Sequence, residues 1–153
     1  MIKDFVSIRG DVSIRVIDQA TRQTRQKVQI RNLITEVGKT YLVDRVLGTT
    51  SEVISQIGLG DGTTAPNVSQ TALTGSNQVF KNLSSLQRPT LEVKSWIAST
   101  SFIDEASETP SEDINEIGLF TDQDKMIART VLSSPVTKAE SDILDISWTL
   151  TIG

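Results

Sequence analysis

Eight carboxylates crowd one stretch of this chain: Asp104, Glu105, Glu108, Glu112, Asp113 and Glu116, with Asp122 and Asp124 in the turn that follows. Oxygen donors at that density could ligate calcium, or two of them could serve as the acid/base pair of a glycosidase. The spacing supports neither. An EF-hand needs ligands at fixed alternate positions, a central glycine and a terminal glutamate, and a glycosidase pair needs a cleft that no spacing in the chain implies. The stretch reads as a solvated loop.

A second candidate is Gly58-Leu59-Gly60-Asp61-Gly62. A glycine-rich turn after a strand cradles phosphate when a helix N-terminus follows and its amides converge on the anion. Here the pattern is G-x-G-x-G, no Gly-Lys-Ser/Thr follows, and Pro66 interrupts the expected helix. The glycines therefore read as turn or bulge positions closed to other residues. Composition removes most other chemistry, because the chain has no histidine and no cysteine. Ser-His-Asp and Cys-His nucleophiles, disulfides and cysteine zinc sites are excluded, and no S-x-x-K run supports a Ser-Lys dyad. Neither catalysis nor a cofactor is expected.

Charge offers the third candidate. Residues 1–45 hold nine basic side chains against five acidic, whereas residues 46–153 hold six against fourteen. Arg15, Lys27 and Arg31 fall on one face of an alternating pattern, with Arg22 and Arg25 at the turn between its halves. A phosphate-binding stripe needs such cations, and single-strand binding adds stacked aromatics. The seven aromatics are not interleaved with these residues, and the formal net charge is −4. A protein-docking edge is the better reading, with opposed charge favouring head-to-tail contact between copies or with an oppositely charged neighbour. The alternative is a solvated edge whose cations discourage unwanted pairing.

The elements that must carry these residues are mostly strands. Val12, Ile14 and Val16, then Val28 and Ile30, alternate with polar residues around a turn at residues 18–22, which predicts a hairpin over about 10–31. A turn at Gly10-Asp11 separates it from a short strand over Asp4 to Arg9. Thr35 can cap a helix of about three turns, with Glu36 in its first turn, an apolar stripe of Val37, Tyr41, Leu42, Val46 and Leu47, and Gly48 closing it. Gly38 costs this helix ~1 kcal/mol relative to alanine, so close packing against that turn is expected.

Further strands are predicted at Val53 to Leu59, Gln78 to Leu86, Leu91 to Phe102, Ile114 to Phe120, Met126 to Leu132 and Ile143 to Ile152, with turns at Asp104 to Asp113, Thr121 to Asp124 and Ser133 to Ser141. Trp96 and Trp148 lie in such strands, where core packing is the default and an outward ring would be an interface anchor. The spacing predicts one domain over residues 1–153: a mainly β, antiparallel sandwich, jelly-roll-like or barrel-like, with one α-helix near residues 35–47. No apolar run approaches the ~20 residues that span a bilayer. Met1 to Asp11 does not read as a signal peptide, and the lack of cysteine fits folding in a reducing cytoplasm.

Several elements occur in a recognisable order: Asn32-Leu33-Ile34, then Ile57 to Pro66 (IGLGDGTTAP), Thr71-Ala72-Leu73, Glu116 to Phe120 (EIGLF), Ala128 to Val131 (ARTV) and Ile146 to Leu150 (ISWTL). In this order the chain resembles, over residues 32–153, a family of small virion proteins of tailed bacteriophages labelled as structural or tail-fibre-related. The resemblance implies a non-enzymatic β-sandwich assembly module of the virion, made in the host cytoplasm. It would act in multiple copies, as a homo-oligomer, at the neck, collar or tail, with fibre attachment as one place, and its partners would be other virion proteins. Neither membrane nor nucleic acid is expected as a partner. The hairpin at 10–31 is less clearly part of the pattern and would be the docking arm, with Arg15, Arg22, Arg25, Lys27 and Arg31 as docking residues. The alternatives are a capsid decoration protein, or a receptor- or carbohydrate-binding module using Trp96, Tyr41 and the Gly60 to Pro66 loop.

Overall fold

The structure, a computed structural model, describes residues 7–90, 94–103 and 106–153. In chain order the elements are β1 (Ile8–Asp18), β2 (Thr24–Arg31), β3 (Leu33–Ile34), α1 (Glu36–Leu47), β4 (Ile54–Gly60), β5 (Gln78–Asn82), β6 (Ser85–Gln87), β7 (Ser95–Phe102), β8 (Ile114–Thr121), β9 (Met126–Val136) and β10 (Asp142–Ile152). They form two five-stranded antiparallel sheets, ordered β2-β1-β10-β7-β6 and β3-β9-β8-β4-β5. The expected sandwich with one helix is the observed fold, and its sheets stay open rather than closing into a barrel.

Alternation builds the first sheet. Val12, Ile14 and Val16 of β1 stand opposite Trp148, Ile146 and Leu144 of β10, and all six are buried. Their polar neighbours face outward, as a half-buried strand requires. In the second sheet the period of two breaks down, because Ile117–Thr121 and Met126–Thr130 are buried without interruption. The inner face of these strands meets the first sheet. Their outer face is covered by α1, which packs on β9, and by the 62–77 segment, where Leu73 meets Phe120 and Met126 in a second cluster.

Helix α1 begins and ends where its caps are. The Thr35 hydroxyl accepts the Gly38 N–H at 2.9 Å and donates to the Met126 carbonyl at 2.6 Å, so one side chain caps the helix and fastens it to β9. Gly48 closes the far end at φ 70°, in the left-handed region. The expected apolar stripe is only partly used: Tyr41 is buried and Leu42 packs against the core, but Val46 and Leu47 are exposed. The reason is placement. The helix approaches β9 closely at Gly38, against the Ile127 backbone, and its far end leaves Val46 and Leu47 at the surface.

The close packing anticipated at Gly38 is with backbone: a Cβ added there would overlap the Ile127 carbonyl. Gly38→Ala should therefore lower stability by ~1–3 kcal/mol, although alanine gains ~1 kcal/mol of helix propensity. A rise in urea midpoint for this variant would show that the helix can slide off the strand.

Four boundaries differ from expectation. Gly10-Asp11 is not a turn, since β1 runs unbroken through both; Gly10 is there because a Cβ would strike the Asn32 side chain. Residues 4–6 lie outside the described residues. The expected strand from Gln78 to Leu86 is two, with β5 pairing β4 and β6 pairing β7. The chain changes sheets at Leu83, whose N–H donates to Ser55 O at 2.7 Å.

Ser133 to Val136, expected as turn, continues β9. Its register against β8 slips from Glu116 opposite Val131 to Ile114 opposite Val136, so Pro135 falls within a bulge where no ladder N–H is required. At the other end of the first sheet, β7 starts at Ser95 rather than Leu91, and residues 91–93 lie outside the described residues.

Candidate docking surface

The β1–β2 pairing puts Arg15 directly opposite Lys27 and Asp11 opposite Arg31, all on the outer face of the first sheet. Two cations side by side repel. Asp145 on β10 offsets this by accepting from Arg15 at 3.0 Å. Asp11 lies 3.1 Å from Arg9 and 3.9 Å from Arg31. These pairs are exposed and worth at most ~1 kcal/mol each, so a partner can displace them cheaply.

Arg22 sits at the hairpin tip in the left-handed conformation, φ 60°, with its N–H donating to Asp18 O at 2.8 Å. Neither Arg22 nor Lys27 forms an ion pair among the described residues. Arg25 differs from the rest. It grips the buried carboxylate of Asp142, which also accepts the Ala139 N–H at 2.9 Å, so Arg25 ties the hairpin to the turn before β10. Between the Arg15 row and the Arg31 row, Ser13, Ser147, Ser99 and Ser85 stand opposite one another across four strands. Ser13 and Ser147 line two polar hollows of about 230 and 630 Å³, and Ser99 lines the smaller one.

Among the described residues the carboxylates do not converge. Asp104 and Glu105 lie outside the described residues. Glu108 accepts from Lys81 Nζ at 2.6 and 2.7 Å and from Ile103 N at 2.7 Å. Asp113 accepts from Thr137 Oγ1 at 2.8 Å, and Asp122 from Val53 N at 3.2 Å. Among the described residues no three carboxylates are grouped closely enough to hold a metal ion. Glu116 corrects the loop reading altogether, because it is a fully buried residue of β8.

The glycine run also proves to be something else. Strand β4 passes straight through Gly58 and Gly60, and neither has a positive φ. Gly58 pairs with Gly118 on β8, and a Cβ at Gly58 would lie 2.6 Å from the Phe80 ring, which packs edge-on against Phe120 with centroids 5.3 Å apart. A Cβ at Gly60 would lie 2.7 Å from Glu116 Oε1. The glycines make room for rings and a buried carboxylate, not for a phosphate turn.

Into that space comes a residue the charge reading passed over. Arg129, 1% exposed, donates through Nε to Glu116 at 2.8 Å. Its other nitrogens reach Gln70 Oε1 at 2.9 Å, Thr64 O at 2.9 Å and Thr74 Oγ1 at 3.1 Å. Glu116 in turn accepts the N–H groups of Thr74 and Gly75 at 2.9 and 2.7 Å. One ion pair thus holds the 62–77 loop, whose neck is closed by Asn77 Nδ2 donating to Asp61 at 2.6 Å. The signal in the sequence was faint: a glutamate and an arginine on neighbouring apolar strands, each at an otherwise apolar position.

Four carboxylates titrate low because of such partners, Asp18 among them through the Thr21 N–H and hydroxyl. The Lys125 ammonium holds Glu52 down, and the Asn77 amide holds Asp61 down. Burial pushes Glu108 up, but the Lys81 ammonium and the Ile103 N–H outweigh it and leave it lowered. A depressed folded-state value contributes stability that is present above the unfolded value and lost as pH falls through the folded one. The urea midpoint should therefore stay level from pH 7 to about pH 5 and fall below about pH 4. A midpoint that climbs on acidification would contradict these pairings.

Trp148 is fully buried, as core packing requires, and its indole N–H donates to Asn32 Oδ1 at 3.1 Å. Trp96 is half-buried. It lines one hollow of about 330 Å³ together with Tyr41, Leu42, Arg45 and Leu86. The Gly60 to Pro66 segment does not line that hollow. Burial raises the Tyr41 hydroxyl, which donates to Glu52 O at 3.2 Å. Searches among protein families, curated proteins and solved structures find no match to this chain.

Proposed function

We propose that this chain is a non-catalytic structural subunit of a tailed-bacteriophage virion, assembling in multiple copies at the neck, collar or tail through the outer face of β1 and β2. The observation that carries the docking surface is the cluster of Arg15, Lys27 and Arg31 on one open sheet face, with Arg22 at the tip and only weak exposed pairs to restrain them. The virion setting rests on the ordered motifs of residues 32–153. An acidic patch on a neighbouring subunit would replace the exposed Asp145 and Asp11 contacts with interfacial ones. Such complementarity speeds encounter and fixes orientation more than it adds affinity.

Arg25 is half exposed and also ties the arm to the buried Asp142, so it is left unchanged in the charge-reversal variant. The triple variant Arg15→Glu, Lys27→Glu, Arg31→Glu should keep its melting temperature within a few degrees and enter particles at least about tenfold less well, in keeping with the rate effect of electrostatic steering. Normal incorporation of this variant would remove the β1–β2 face from the assembly. Electron microscopy of particles carrying labelled protein separates a neck, collar or tail site from capsid decoration.

A further inference from the structure

We propose that the open seam beside β6 takes up an extended segment of another protein chain, which joins the first sheet as a sixth strand. Among the described residues β6 is hydrogen-bonded on one side only, to β7, and its other edge ends the sheet. Natural sheets blunt such an edge with short strands, charge or proline, and here a three-residue strand is followed by Arg88 and Pro89. Within the strand itself the edge carries an exposed Leu86.

Leu86 stands opposite Ala98, which is 0% exposed, so it belongs to the inner face of the sheet; yet it is itself 46% exposed. The core is unfinished here. Between β6, α1 and the start of β4 a hollow remains, lined by Trp96, Tyr41 and Ile54. It continues past Ile54 and Leu86 into a second hollow of about 490 Å³ bordered by Leu83 and Ser55. The two share Ile54 and Leu86 and so form one seam running along the strand edge.

Three features define the occupant. First, an unpaired strand edge offers backbone donors and acceptors that only an extended chain can meet in series, while alternate side chains enter the adjoining hollows. A docked helix would leave that edge unmet. Second, the buried Ser55 hydroxyl has no hydrogen-bond partner among the described residues, and it borders the second hollow. A strand lying in the seam brings polar backbone within its reach. Third, the Arg45 guanidinium borders the first hollow and donates to the Thr50 carbonyl at 3.2 Å, with no carboxylate partner among the described residues. The segment is therefore apolar at every second position and carries a carboxylate near the Arg45 end. Val46, one helical step from Leu42 and 87% exposed, extends the apolar surface beyond the hollow.

This interface lies at the opposite edge of the sheet from β2 and does not depend on the virion reading. The test is an NMR titration of isotope-labelled protein with the capped heptapeptide Glu-Val-Thr-Val-Thr-Val-Ser, alongside a control of the same composition with its valines consecutive. Saturable shifts at the Ser85, Leu86 and Gln87 amides and the Trp96 indole, with slowed amide exchange along β6, are expected for the alternating peptide. Affinity should drop about tenfold in Leu86→Asp and in Arg45→Glu, the second variant guarding against a folding defect in the first. Equal binding of the control peptide, shifts centred on Lys27 and Arg31, or no shift at millimolar peptide would each overturn the proposal. None of these outcomes bears on particle incorporation through β1 and β2, so the two surfaces stand or fall separately.

Discussion

Arg129→Leu should lose about 3–5 kcal/mol of unfolding free energy, the cost of leaving one charge of a buried pair without its partner. Glu116 is 0% exposed and would keep the Thr74 and Gly75 N–H groups and the Thr74 hydroxyl as donors. The same change removes the donor to Thr64 O and one of the two donors to Gln70 Oε1, so the loop over 62–77 loses part of its inner attachment. Urea unfolding measures the first effect. Amide exchange at Thr74 and Gly75 measures the second, and both should change together. Adding Glu116→Leu should recover part of the loss, because an apolar pair in place of a buried ionic one is often neutral or better. A single variant within 1 kcal/mol of the parent would mean that the loop is held by Leu73 and its apolar neighbours, not by the ion pair.

Trp148→Ala should cost about 3–5 kcal/mol, the range for deleting a large buried aromatic. On the β10 ladder Trp148 stands between Val12 of β1 and Ala98 of β7, so the cavity opens in the middle of the first sheet. For a domain of this size the loss corresponds to a melting temperature lower by roughly 6–20 °C. Trp148→Phe isolates the polar part of the effect. The indole N–H is the donor to Asn32 Oδ1, and the buried Asn32 Nδ2 has no partner among the described residues. Leaving the oxygen unmet as well should cost about 1–3 kcal/mol. If the phenylalanine variant is as stable as the parent, the asparagine is not held by the ring and the close fit of Gly10 beneath it needs another cause.

Much of the fold was legible because its signals are local. Five alternating residues from Leu144 to Ile152 announced β10, and Thr35 and Gly48 marked both ends of α1. Misreadings arose where a residue answers to something distant in sequence. Gly10 and Gly58 looked like turns but are close approaches, to Asn32 and to Phe80. Val46 and Leu47 fit a buried stripe, yet the helix packs on β9 at Gly38 and leaves these two exposed. Leu83 sits in an unbroken strand pattern, and the change of sheet there depends on Ser55 and Ser99 presenting carbonyls from different sheets.

The candidate surface shows the same division. That Arg15, Lys27 and Arg31 share a face followed from the period of two, since alternate side chains in a strand point the same way. Their inequality with Arg25 did not, because Asp142 arrives from a strand more than a hundred residues away.

By itself the sequence determined the class of structure, the caps of its helix, the basic face of its hairpin and the absence of histidine and thiol chemistry. Those properties belong to single residues and near neighbours. Only the tertiary structure decided that Glu116 is a buried partner of Arg129 and not a loop carboxylate, that Gly60 of β4 clears space for it, and that among the described residues nothing covers the seam beside Leu86. Each depends on which strands lie side by side, and pairing between segments far apart in sequence is set by the whole packed core.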